Sequence, residues 1–262
     1  MTLVSIVMPA HDAARYIGAA LESLMTQTYA NFEVIVVDDG SRDTTVRIVA
    51  DAAARDPRIR LVSGGHAGVA AARNRGVRAA RGGLISFLDA DDLWRPDRLA
   101  RHVEFLSGNP AADVVAGEVL LFEAVGETLE PLAGSAHVQL RSVNLGATTM
   151  RAAVFETIGL FDETMHYSED LDFLLRVHEA GLHISVEDQV ALLYRRHETN
   201  MTNDVGANRR YILQALQRSL ARRRVGGYRP AATEFPLQTP FAQLAISPAD
   251  VGRGLASGKV SG

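Results

Sequence analysis

The chain has 262 residues, 47% of them hydrophobic, no cysteine and a formal net charge of -4, enough for one large α/β domain or two small ones. Disulfide and thiol chemistry are excluded, in keeping with a reducing cytosol. The acidic balance leaves no overall electrostatic footprint for nucleic acid, and no apolar run approaches the roughly 20 residues of a membrane span.

Met1 to Ala10 lacks a basic flank and reads as a strand, not a signal peptide. A soluble cytoplasmic protein is expected, with contact at the inner face of the membrane at most. Val4 to Met8 is a short apolar strand ending at Pro9, and Ile17, Leu21, Leu24 and Met25 recur at helical spacing. Phe32 to Val37 is a nearly continuous apolar strand, as expected when both faces of a parallel strand are covered. It ends at Asp38-Asp39-Gly40-Ser41. A helix from about Thr44 to Ala54, a strand from Ile59 to Val62, the turn Gly64 to Gly68 and an alanine-rich helix from about Val69 to Ala80 follow. The next strand, Gly83 to Leu88, runs into Asp89-Ala90-Asp91-Asp92, and Pro96 and Asp97 open another helical pattern.

This alternation predicts a βαβ series with a mostly parallel sheet. Ligands of such sheets bind beyond the carboxyl ends of the strands, so Pro9 to Asp12, Asp38 to Ser41 and Asp89 to Asp92 should face one crevice. Three carboxylates within four residues repel one another unless a cation sits among them, and hard oxygen ligands favour magnesium or manganese. A helix cap is the local alternative for the acidic turn, and backbone bonding within a tight turn is the alternative for Asp38-Asp39.

The second half is less regular. Val114 to Phe122 reads as strand and Glu123 to Leu140 as a loop or irregular hairpin. Gly159 to Asp162 is a turn, Ser168 is a candidate cap for a helix ending near Gly181, and Ile184 to Leu193 is strand-like. Asn208 to Arg224 is helical and basic, with leucines interleaved; the pattern suits either an anionic membrane or leucines packed inward with arginines in water. The last thirty residues are expected to be poorly ordered.

Seven ordered segments resemble family 2 glycosyltransferases of the GT-A fold. They are Val4 to Ala10, Ser23 to Thr28, Phe32 to Ser41, Ala71 to Gly76, Phe87 to Asp92 with Pro96-Asp97, Gly159 to Glu163, and Ser168-Glu169-Asp170, and they cover about residues 3 to 200. The resemblance implies a Rossmann-like, mostly parallel central sheet flanked by helices, with a smaller acceptor-side subregion. Residues 1–107 would form the nucleotide-sugar half, 108–205 the acceptor and catalytic half, and 206–262 a basic helix and flexible tail.

The same resemblance assigns roles, with donor selectivity expected in loops such as Gly117 to Ala136 and acceptor contacts around Asn144 to Thr149. Asp89-Ala90-Asp91 matches the DXD motif, with Asp91 a direct ligand of a divalent ion, manganese or magnesium, and Asp89 nearer the donor ribose or the metal shell. Asp39 would accept a nucleobase N–H, with Pro9, Ala10 and Asp12 lining the same subsite. Gly65, Gly68 and Arg73 match the donor-side loop, Arg73 being either a phosphate contact or a solvated helix arginine. An inverting transfer needs a carboxylate to take the acceptor hydroxyl's proton; Asp170 matches that base, with Glu169 beside it, in a first helical turn that favours negative charge. His197 would complete the metal shell or meet a phosphate, Arg195 or Arg196 would neutralise charge, and Glu198 to Ala207 would form a lid.

The expected activity is sugar transfer from a nucleotide-diphospho-sugar, UDP-linked, to a hydroxyl of a glycan or lipid-linked acceptor. Two rivals remain at this stage. A sugar nucleotidyltransferase would carry a glycine-rich phosphate loop after the first strand, where this chain has Pro9-Ala10-His11-Asp12; a non-catalytic nucleotide- or glycan-binding module would not need the full set of carboxylates.

Overall fold

The computed structural model describes residues 1–126, 129–141 and 143–225, so the tail expected to be poorly ordered lies outside the described residues. Strand β1 (Val4–Ala10) is buried along its whole length, because it lies between two parallel neighbours, β2 (Phe32–Asp38) and β4 (Leu84–Phe87). Strand β3 (Ile59–Ser63) adds to the outer side of β2, also in parallel. Helices α1 (Ile17–Met25), α2 (Thr45–Arg55) and α3 (Val69–Ala79) make the crossovers. The continuous apolar runs of β1 and β2 follow from this cover on both faces.

Helix α3 approaches the sheet closely at Gly76, where a Cβ would stand 2.2 Å from Val7 Cγ1 on β1. Gly76→Ala should therefore destabilise by about 1–3 kcal/mol despite alanine's better helix propensity. Thermal unfolding followed by circular dichroism should show a midpoint lower by several degrees, and an unchanged midpoint would refute this packing.

Beyond β4 and α4 (Arg98–Gly108) the sheet changes character. Strands β5 (Val114–Phe122), β6 (His137–Leu140), β7 (Thr148–Arg151) and β8 (Ile184–Arg195) complete eight strands. β7 is inserted antiparallel between β4 and β5, β6 pairs antiparallel with β5, and β8 pairs parallel with β5. The hairpin alternative for 123–140 is realised at its end, by β6. The region expected to hold a donor-selectivity loop begins inside a strand instead: Gly117 to Phe122 belongs to β5, and a Cβ on Gly117 would lie 2.5 Å from that of Ala191.

Strand β7 and helix α5 (Ala153–Ile158) have no clear counterpart in the sequence pattern. The threonines of β7 are fully buried with their hydroxyls satisfied, that of Thr149 by distant side chains. Thr149 Oγ1 meets Ser86 Oγ at 2.7 Å and His102 Nδ1 at 2.9 Å, and Thr148 Oγ1 donates to Leu145 O at 2.7 Å. Helix α6 (Glu169–Glu179) starts where expected, but Ser168 does not cap it through its side chain. Its φ of +55° places it in the left-handed region, where the side chain makes no capping bond. The last helix, α7 (Val205–Val225), packs Ile212 and Ala215 against Met165, Leu171 and Leu175.

Candidate active site

The parallel strands β1, β2 and β4 deliver their carboxyl ends to one cavity of about 830 Å³. Pro9, Ala10 and Asp12 line it from β1, Asp39 from β2, and Asp89, Ala90 and Asp91 from β4, with Gly68, Arg73, Glu169, Asp170 and His197 completing the wall. Almost all the residues singled out in the sequence therefore meet. Gly65 does not: it turns at φ +82° against the Arg75 guanidinium and is not part of the cavity wall.

At the β1–β2 end, Asp39 is buried and anchors the loop before α3. Its Oδ1 accepts from Ala67 N at 2.8 Å and its Oδ2 from Gly68 N at 2.7 Å. Each oxygen keeps a further lone pair. Asp12, with φ +47°, accepts from Arg42 N at 2.7 Å and so fixes the neighbouring turn. Four described non-glycine residues have positive φ, and three of them, Asp12, His66 and Ser168, line the cavity. Such conformations cost about 1–3 kcal/mol each and persist where surrounding contacts hold them, often at functional sites.

The three aspartates after β4 divide by environment. Asp91 Oδ2 lies 3.0 Å from His197 Nε2, and Tyr16 stacks on that imidazole with centroids 4.4 Å apart. Burial and the nearby Asp89 raise the Asp91 carboxyl above its ordinary range, against the pull of the His197 hydrogen bond. Asp92 is not the cap of the next helix. It is 2% exposed and accepts the Arg195 N–H at 2.9 Å, which ties the end of β4 to the end of β8. Its carboxyl is pushed well up by burial and by Asp91 and Asp89.

Asp89 points to Arg73. This arginine is not solvated: NH2 donates to Asp89 Oδ1 at 2.8 Å, and NH1 donates to Glu169. Burial works against the Arg73 charge, but Asp89 and Glu169 outweigh it and hold the guanidinium more firmly protonated than usual. The result is a bridge, buried at Arg73 and Glu169, from the acidic turn after β4 to the first turn of α6. Burial pushes the Glu169 carboxyl up, while Arg73 draws it back down. Asp170 lies next to it in the cavity wall, accepting only a bond from Leu171 N at 2.8 Å among the contacts described.

The segment before α6 is held by Asn74. Its amide donates to Phe161 O at 2.9 Å and to Glu163 Oε1 at 2.8 Å, and its carbonyl accepts from Phe161 N at 2.9 Å. Phe161 stacks on Phe173 of α6 at 4.4 Å and meets Phe87 of β4 edge-on at 5.4 Å. Aromatic pairs of this kind add about 0.5–1.5 kcal/mol each beyond their burial. Together they set the position of Glu169 and Asp170 against the sheet.

Tyr16, Asn74 and Asn200 were assigned no role from the sequence. Asn200 Oδ1 accepts from His197 N at 2.6 Å and its amide donates to Arg195 O at 3.1 Å, so the expected lid is pinned at its base. Its place within the segment already marked as a lid was the available clue. Arg195 spends Nε on the Asp91 carbonyl at 2.9 Å, and its guanidinium faces the Tyr16 ring at 5.3 Å. Asn144 and Leu145 line the cavity, whereas Thr148 and Thr149 are buried in β7.

Among the described residues, no group of three or more His, Asp or Glu side chains is arranged to hold a metal ion unaided. The donor set still fits a divalent ion. Asp91 supplies a carboxylate whose ionised form is disfavoured by Asp89, His197 supplies an imidazole, and magnesium or manganese sites of this type are completed by phosphate oxygens of a ligand.

The chain is similar to known proteins in sequence and in fold. The succinoglycan biosynthesis protein ExoO of Rhizobium meliloti (strain 1021) is 30% identical over 261 residues, covering 87% of this chain and 74% of ExoO. The uncharacterized glycosyltransferase EpsJ of Bacillus subtilis (strain 168) is 29% identical over 221 residues, 76% of this chain, which spans 63% of EpsJ. Among solved structures, S. aureus TarS in complex with UDP-GlcNAc superposes with a TM-score of 0.64 at 22% identity, over 85% of this chain and 72% of that one. The mannosyltransferase PcManGT of Pyrobaculum calidifontis, in complex with GDP-Man and Mn2+, gives 0.67 at 21% identity, over 84% and 64%. These likenesses give the fold, a GT-A arrangement with helices on both sides of a mostly parallel sheet. Residues 5–135 match the family described as Glycosyl transferase family 2. With that match, the ExoO relationship and the fold in agreement, the chain belongs to glycosyltransferase family 2.

Proposed function

We propose that this chain is an inverting, metal-dependent glycosyltransferase that moves a sugar from a nucleotide-diphospho-sugar, UDP-linked, to a hydroxyl of a glycan or lipid-linked acceptor. The observation that carries this reading is the single cavity shared by Asp39, Asp89 to Asp91 and Asp170. In it, residues 1–107 form the donor side and 108–205 the acceptor and catalytic side. Pro9, Ala10 and Asp12 line the nucleoside subsite. Asp39 accepts the base N–H on a lone pair left over from the Ala67 and Gly68 amides. Asp91 and His197 would hold the ion, with Asp89 beside them on the donor side. When bound, a divalent ion stabilises the negative charge that gathers on the nucleoside diphosphate leaving group, an effect of several kcal/mol.

Asp170 takes the acceptor hydroxyl's proton as its oxygen attacks the anomeric carbon, and the sugar–phosphate bond breaks on the opposite side, which inverts the configuration. Glu169, fastened by Arg73, fixes the helix turn from which Asp170 projects. The complexes named for the structural neighbours, UDP-GlcNAc with TarS and GDP-Man with PcManGT, support a nucleotide-sugar donor.

The test is incubation of the protein with manganese and each common nucleotide sugar, alongside thermal shifts with UDP and GDP. Release of the nucleoside diphosphate by hydrolysis or transfer, and a higher midpoint with UDP than with GDP, is expected. Pyrophosphate release would instead identify a nucleotidyltransferase, and neither turnover nor a shift would leave a binding module without this chemistry.

A further inference from the structure

Helix α7 carries six arginines and no acidic residue, and its arginines are sorted by direction. Those turned toward the domain are paired. Arg218 meets Asp162, Arg222 bridges Asp172 and Glu179, and Arg223 approaches Glu179 at 3.8 Å. They are therefore not arginines in water. Arg209, Arg210 and Arg224 are exposed and form no ion pair among the described residues. The spacing of Arg209, Leu213, Leu220 and Arg224 puts them on one face, and Leu213 and Leu220 are 52% and 54% exposed there. Among the described residues, nine large apolar side chains are exposed, and five of them, Met201, Val205, Leu213, Leu220 and Val225, belong to this helix or the turn before it.

We propose that this outer face of α7 is a docking surface for an anionic lipid bilayer. The charge pattern selects that occupant. A chain with a net charge of -4 here presents three uncompensated cations interleaved with apolar groups and no acid, the combination that lies flat at a negatively charged interface. A second copy docked through the same face would oppose arginine to arginine. The inner side of the helix contributes Asn208 and Ile212 to the cavity wall, so a bilayer along the outer face would run beside the site where an acceptor enters. The surface is independent of the transfer chemistry, and its test uses neither donor nor acceptor.

The full chain should co-sediment with phosphatidylcholine vesicles that contain phosphatidylglycerol and remain in solution with phosphatidylcholine alone. The variant Arg209→Gln/Arg210→Gln/Arg224→Gln should lose binding by roughly a hundredfold, given the usual contribution of each basic side chain near an anionic surface. Arg218→Gln, whose partner is Asp162, should bind as the parent does. Because the three outer side chains make no ion pair among the described residues, the triple variant should melt with the parent and hydrolyse donor at the parent's rate, which separates this result from any failure of the proposed transfer. Equal binding to neutral vesicles, or full binding by the triple variant, would overturn the proposal. So would a concentration-dependent dimer broken by Leu213→Ser/Leu220→Ser with no vesicle binding by the parent.

Discussion

Asp91→Asn should lower manganese-dependent turnover by roughly 100- to 1,000-fold, the scale of losing one preorganised electrostatic contact to a developing charge. The fold should survive, and the reason lies in the unequal environments of the three aspartates. Asp92 holds the Arg195 N–H and Asp89 holds Arg73. Asp91 makes its main side-chain contact with His197. Burial and Asp89 raise the Asp91 carboxyl, so the folded chain binds that proton more tightly than the unfolded chain does. Its contribution to stability is then present in acid and is lost as pH rises through the raised value, leaving the ionised group a cost at neutral pH. Asparagine has no such charge. In metal-free buffer at neutral pH the variant should melt no lower than the parent. With UDP present, manganese should raise the parent's midpoint and leave the variant's unchanged. Retained turnover, or an equal manganese shift in both proteins, would remove Asp91 from the metal site.

The same three aspartates show where the sequence was readable. Their place at the end of a strand in a βαβ series follows from hydrophobic periodicity alone, and so does the expectation that Asp39 and Asp91 face one crevice. The division of labour among them does not. Asp92 finds its partner 103 residues away, and Arg73 finds Glu169 at a separation of 96. Local spacing says nothing about such pairs, because the partner strand and helix are brought up by topology. A helix cap was the natural local reading of Asp92, and burial between β4 and β8 overrides it. Strand β7 escaped for a related reason: its threonines look like surface residues until Ser86 and His102 are placed beside them. The basic helix was legible as amphipathic, but which arginines find acids on the domain depends on where Asp162, Asp172 and Glu179 end up.

Asp170→Asn should reduce kcat by about 100- to 10,000-fold, the range for removing a positioned general base, with little change in donor affinity. Two carboxylates compete for this role, and their surroundings separate them. Glu169 is 5% exposed and committed to Arg73; protonating it would break a buried ion pair and leave the guanidinium with Asp89 as its one remaining acidic partner. Removing one member of such a pair typically costs 3–5 kcal/mol. Asp170 forms no such ion pair among the described residues and shares the cavity wall with Tyr167 and Leu174. The two substitutions should therefore fail differently. Asp170→Asn should keep the parent's melting temperature and its UDP-induced thermal shift while transfer collapses. Glu169→Gln should lower the melting temperature and weaken donor binding together, since Arg73 links it to Asp89. If Asp170→Asn turned over normally while Glu169→Gln lost transfer with its stability intact, the proton would belong to Glu169, and Arg73 would have to release that carboxylate during the reaction.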